Sequence, residues 1–71
     1  MNELIFKLNQ EFIQLDKLLK IMQLVNSGGE AHEMILSGLV KVNGETEIQK
    51  RKKIRVGDVV VFNDNQIEIT E

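Results

Sequence analysis

Five of the nine basic residues of this 71-residue chain fall within six positions, Lys50-Arg51-Lys52-Lys53-Ile54-Arg55. Ammonium and guanidinium groups at that density neutralise phosphates along a nucleic-acid backbone, a contact that positions a polyanion without reading its sequence. The run stands out against an acidic body. Residues 1–40 carry −2 (Lys7, Lys17 and Lys20 against Glu3, Glu11, Asp16, Glu30 and Glu33). Residues 41–55 carry +4 (Lys41 and the five against Glu45 and Glu47), and residues 56–71 carry −4 (Asp58, Asp64, Glu68 and Glu71), for a formal net charge of −2. Segregation of this kind implies an anionic partner at one face, with Lys50, Arg51, Lys52, Lys53 and Arg55 joined by Lys41 from the adjoining strand.

Ser27-Gly28-Gly29 is a second candidate. Amides at a helix start form an anion site, and two glycines would let a phosphate approach closely. The plainer alternative is that Ser27 and Glu30 only cap the helix, and the Glu30 carboxylate would repel a phosphate. Lys17 and Lys20 are weaker candidates, because Asp16 lies four residues before Lys20 and an ordinary surface ion pair accounts for that spacing. Asn43 is a turn residue first and a contact residue second.

Other chemistries find little support. His32 is the sole histidine and there is no cysteine, so no metal site can be completed and no cofactor is expected. No serine or threonine has a recognisable base and orienting partner, so no catalytic residue is expected, and a chain of this size leaves little volume for a small-molecule cleft. With Phe6, Phe12 and Phe62 as the only aromatics, shape and phosphate spacing should dominate over base stacking.

The elements that must position these residues can be read from the pattern. At 42% hydrophobic and 28% charged, residues 1–71 make one globular domain near the size at which a single core barely suffices. Residues 4–8 suggest a short strand. Leu15, Leu18, Leu19 and Met22 recur at helical spacing, predicting a helix over 15–24 with Asp16 in its first turn. Ser27 and Glu30 form a capping box, in which each reaches the other's amide, opening a second helix with Ala31, Met34 and Ile35 inward. Gly38 is its left-handed stop, with Leu39 making a closing contact. Val40-Lys41-Val42 and Glu45 to Ile48 then form a hairpin about Asn43-Gly44. A three-residue loop is predicted there, because it puts Val40, Val42, Thr46 and Ile48 on one face, with Gly44 at positive φ. Gln49 to Lys53 read as an exposed connection, with Ile54 pointing inward as an anchor. Val56-Gly57-Asp58 reads as a turn, Val59 to Phe62 as a strand covered on both sides, Asn63 to Asn65 as a turn, and Gln66 to Ile69 as a closing strand.

Leu15-Asp16-Lys17-Leu18-Leu19, Ser27-Gly28-Gly29-Glu30-Ala31, Ile35, Gly38, Val40-Lys41-Val42-Asn43-Gly44 and Gly57-Asp58 together resemble the S-four-type RNA-binding domain over about residues 14–62. The chain looks most like the small stand-alone members whose second helix opens with Ser-Gly-Gly-Glu-Ala. The resemblance implies an α+β fold, a two-helix hairpin packed on a small, mostly antiparallel sheet of four to five short strands. It also implies a role in binding structured RNA of the ribosomal or transfer class. Two positions depart from the pattern: the larger family usually has arginine where this chain has Gln14 and Gly28, so the basic run must supply most of the affinity. The rival expectation is a protein-interaction module docking an acidic partner. The amino-terminal Met1-Asn2-Glu3-Leu4 lacks the basic start and apolar stretch of an export signal, and no run approaches the ~20 apolar residues of a membrane span. A monomer in the cytoplasm, with no membrane or small-molecule partner, is the expectation.

Overall fold

The computed structural model describes residues 1–71. In chain order it runs β1 (Asn2–Lys7), β2 (Ile13–Gln14), α1 (Leu15–Ile21), α2 (Gly28–Leu36), β3 (Val40–Val42), β4 (Glu45–Thr46), β5 (Lys53–Ile54), β6 (Val59–Phe62) and β7 (Asn65–Thr70). A five-stranded sheet has the order β1-β7-β6-β3-β4, and a separate two-stranded ribbon joins β2 to β5. All pairings are antiparallel except β1 with β7, which run parallel from Asn2 opposite Asn65 to Lys7 opposite Thr70. The architecture is thus α+β, with two helices on a mostly antiparallel sheet.

The core explains why these elements assemble. Leu15, Leu18 and Leu19 of α1 and Ala31 and Ile35 of α2 are fully buried, as are Val40, Val60 and Ile67, with Val42, Phe62 and Ile69 nearly so. The two helical stripes meet the inward residues of the sheet in one cluster, and Met22 and Met34 pack against its edge. Neither stripe could stay in water: burying a side chain of the leucine or isoleucine class contributes about 1.5–3 kcal/mol.

Both helices end in the same way. After α1, Gln23 adopts φ 60°, its amide donates to Lys20 O at 3.0 Å, and Leu24 N donates to Leu19 O at 3.1 Å. After α2, Gly38 adopts φ 79°, with the Gly38 amide on Ile35 O at 3.0 Å and that of Leu39 on Met34 O at 3.2 Å. Each is a Schellman motif. The first stops α1 at Ile21, three residues short of the predicted end, because Gln23 takes a left-handed conformation that a residue with a Cβ adopts only at a cost. The second falls at the predicted glycine, although the Leu39 side chain remains half exposed.

Four further expectations are corrected. The β3–β4 hairpin pairs Val42 with Glu45 and Lys41 with Thr46, so its loop has two residues, not three. Asn43 at φ 54° and Gly44 at φ 85° supply the two positive-φ positions of a type I′ turn, which suits the strand twist. The parity argument failed because it required Ile48 to face inward, whereas β4 is a two-residue edge strand and Ile48 is 59% exposed. In β6, Val60 and Phe62 are buried while Val59 and Val61 are only half covered, so the strand is packed on one face and its continuous apolar run is not a sign of two-sided cover. The Glu30 carboxylate reaches back to the amide of Asn26 at 3.2 Å, one residue before the predicted partner. Finally, Lys53, the last residue of the expected exposed connection, is instead the first residue of strand β5.

Candidate nucleic-acid interface

The basic run is fastened at both ends. Ile54 is fully buried opposite Ile13, and Lys53 is paired with Gln14. Immediately upstream, the carbonyl of Lys52 accepts from Leu15 N at 2.9 Å and that of Lys50 from Asp16 N at 3.0 Å. The first amides of α1 are therefore satisfied by the backbone of the run itself, which explains why Gln14, the N-cap, provides no side-chain bond. Carbonyl oxygens also present their negative end to the positive end of the helix dipole. All five cationic side chains remain exposed on this bonded backbone.

The far end is held by Asp58. Its Oδ2 accepts from Arg55 N at 2.8 Å, its amide donates to Arg55 O at 3.0 Å, and its Oδ1 accepts from Asn43 Nδ2 at 3.0 Å. Val59 N donates to Asn43 Oδ1 at 2.9 Å. The Asn-Gly turn and the Gly-Asp turn, far apart in sequence, are thus one hydrogen-bonded clasp. Both polar atoms of the Asn43 side chain are engaged within it, so the structural part of Asn43 is to join these turns.

Few carboxylates compete for the cations. The one ion pair on the run is Arg55 Nη1 to Glu11 Oε1 at 3.4 Å, between two largely exposed side chains, a geometry that contributes little. The predicted pairing of Asp16 with Lys20 does not form. Asp16 Oδ2 lies 2.7 Å from Nε2 of His32, which donates to it across the helix pair, while Asp16 Oδ1 accepts from Lys17 N at 2.8 Å. His32 is therefore a half-buried link between the helices that occupies the carboxylate otherwise available to Lys20. Lys17 and Lys20 are left without an acidic partner, as are Lys50, Arg51, Lys52 and Lys53.

Lys17 and Lys20 line a shallow depression of about 220 Å³ together with Gln14, Asp16, Gly28 and His32. The two positions at which the resemblance implies arginine, Gln14 and Gly28, are thus side by side on one surface. A Cβ on Gly28 would meet nothing within 4 Å, and one on Gly29 only Ser27 Oγ at 3.8 Å. Internal packing does not demand either glycine. Ser27 itself caps α2, its Oγ accepting from Glu30 N at 3.1 Å.

Lys41 stands apart. It alternates with the buried Val40 and Val42, so its side chain leaves the sheet on the face away from the helices, whereas the run is bonded to the start of α1. Phe12 is the residue that sequence reasoning missed. Its ring lies beneath Lys53 Nζ at 5.0 Å and Arg55 Cζ at 5.9 Å, and nothing local marks it, because only the pairing of β2 with β5 brings residue 12 to residues 53 and 55.

Comparison with known proteins agrees with this geometry. YbcJ of Escherichia coli strain K12 is 37% identical over 57 residues, covering 80% of this chain and 81% of that protein, and YbcJ of Shigella flexneri gives the same figures. The solution structure of Escherichia coli YbcJ, described as revealing an αL motif involved in RNA binding, superposes with a TM-score of 0.75 at 33% identity, over 100% of this chain and 91% of that one. The S4 domain family matches residues 6–70. This chain belongs to the S4 domain family.

Proposed function

We propose that this chain is a non-catalytic RNA-binding module that grips structured RNA through phosphate and shape contacts. The observation that carries the reading is the fastening of the run: Lys50, Arg51, Lys52 and Lys53, all exposed and without carboxylate partners, extend from a backbone whose carbonyls cap α1. Fixed charges lose little conformational entropy in the backbone on binding, so phosphates at matching spacing are bound by a preorganised surface. Arg55 adds to the same face, and Lys17, Lys20 and Gly28 extend it across the helix pair. Family membership and the RNA-binding description of YbcJ support this reading. Lys41 contributes through the long-range field only, and Asn43 through the clasp.

The finer assignment is to RNA of the ribosomal or transfer class, as a monomer in the cytoplasm, and to the small stand-alone subfamily marked by Ser27-Gly28-Gly29-Glu30-Ala31. Crosslinking in cells, followed by sequencing of the attached RNA, tests it: enrichment of ribosomal or transfer RNA is the expected result. Partners that survive ribonuclease treatment in place of RNA would instead establish a protein-interaction module with an acidic partner.

A further inference from the structure

The three phenylalanines have different fates. Phe62 is in the core and Phe6 packs against it, whereas Phe12 is half-buried and belongs to neither group. It lines an open depression of about 430 Å³ with Gln10, Glu11, Ile13, Gln14 and Lys17, a size within the ~300–1,000 Å³ of small-molecule sites. The lining is mixed: Lys17, at its border with the phosphate-binding face, is the one cation among it, and the rest is acidic, amide or apolar. Glu11 would repel a phosphate; its Oε1 accepts from Arg55 Nη1 at 3.4 Å in an exposed, weak pair that the N–H groups of a base edge can replace, and Gln10 and Gln14 each bring an amide donor and acceptor. Cations already lie over the Phe12 ring, with Lys53 Nζ at 5.0 Å and the Arg55 guanidinium at 5.9 Å. A planar base can take the place of such a cation or sandwich against the guanidinium, as rings and arginines do in RNA recognition.

We infer that the Phe12 depression is a subsite for one unpaired nucleobase, guanine above the others, beside the phosphate-binding run. Guanine is favoured because its N1–H and exocyclic amine present two donors side by side to one carboxylate. This subsite rests on the RNA-binding reading and supplies what the basic run lacks. The run fixes a backbone, and Phe12, Gln10 and Glu11 choose among sequences at one nucleotide.

The test compares three RNA hairpins of one stem: fully paired, with a single bulged guanosine, and with a single bulged uridine. Affinities are measured for the wild type, Phe12→Leu, Phe12→Tyr and Glu11→Gln, with thermal unfolding recorded for each. The bulged-guanosine hairpin is expected to bind roughly tenfold tighter than the paired one, within the range of one base–aromatic stack. Phe12→Leu removes that advantage and leaves paired-hairpin affinity unchanged, Phe12→Tyr retains it, and Glu11→Gln narrows the gap between guanosine and uridine. Equal binding of all three hairpins by the wild type overturns the subsite while leaving RNA binding intact. If none of the hairpins binds, the RNA-binding reading falls and the subsite with it.

Discussion

The two helix starts solve one problem in opposite ways. The start of α2 is capped locally: Ser27 Oγ accepts from Glu30 N, and Glu30 Oε1 accepts from the amide of Asn26 just before the cap. The amides that open α1 are met from 35 or so residues away, by the carbonyls of Lys50 and Lys52. A local cap stabilises one helix and does nothing further. A cap borrowed from a distant segment fixes that segment too, and here the segment carries five cations. The comparison teaches that a run of lysines and arginines becomes a surface with defined spacing when its backbone is committed elsewhere.

That contrast can be broken at either end. Ile54→Ala, which removes the buried anchor of the run, should cost about 2–5 kcal/mol of stability and lower RNA affinity together, since the fold and the surface share this residue. Chemical denaturation and RNA titration on the same sample read both. Ser27→Ala should cost about 1 kcal/mol, a fall in Tm of roughly 4–8 °C for a domain of this size, with RNA affinity unchanged when measured well below Tm. Gln23→Gly relieves the left-handed residue after α1 and should stabilise by about 0.5 kcal/mol, the gain being reduced by the added freedom of the unfolded chain. Lys41→Gln should change RNA affinity least of any single cation replacement tested alongside Lys50, Arg51, Lys52 or Lys53, because its side chain stands on the opposite face of the sheet.

How much of this was legible depends on the range of the interaction. The start of α2, the Gly38 stop, the Asn-Gly turn and the inward Ile54 are all written within a few neighbouring residues, and the sequence reads them directly. The end of α1 was not legible because Gln23 has no preference for the left-handed region it occupies. The loop parity was misread because Ile48, an apolar residue, was assigned to a core that β4 is too short to reach. The pairing of β2 with β5 left no periodic signal, having two residues in each strand, and with it went the capping of α1 and the contact of Phe12 with Lys53 and Arg55. The resemblance supplied the fold class and the RNA-binding expectation, while the positions of Asp16 and His32, which leave Lys20 unpaired, came only from the structure.

The central claim, that the fastened run is the principal phosphate-binding surface, is tested most directly by the salt dependence of binding to a structured RNA. The wild type and the combined K50Q/R51Q/K52Q/K53Q variant would be titrated from low to moderate salt. About five neutralised phosphates give a log–log slope of roughly −3.5 for the wild type with the single-strand coefficient, and removing four of those contacts should flatten the slope by about 2.8. The variant should keep its Tm, because the carbonyls that cap α1 belong to the backbone. An unchanged slope and affinity in a folded variant would contradict the claim.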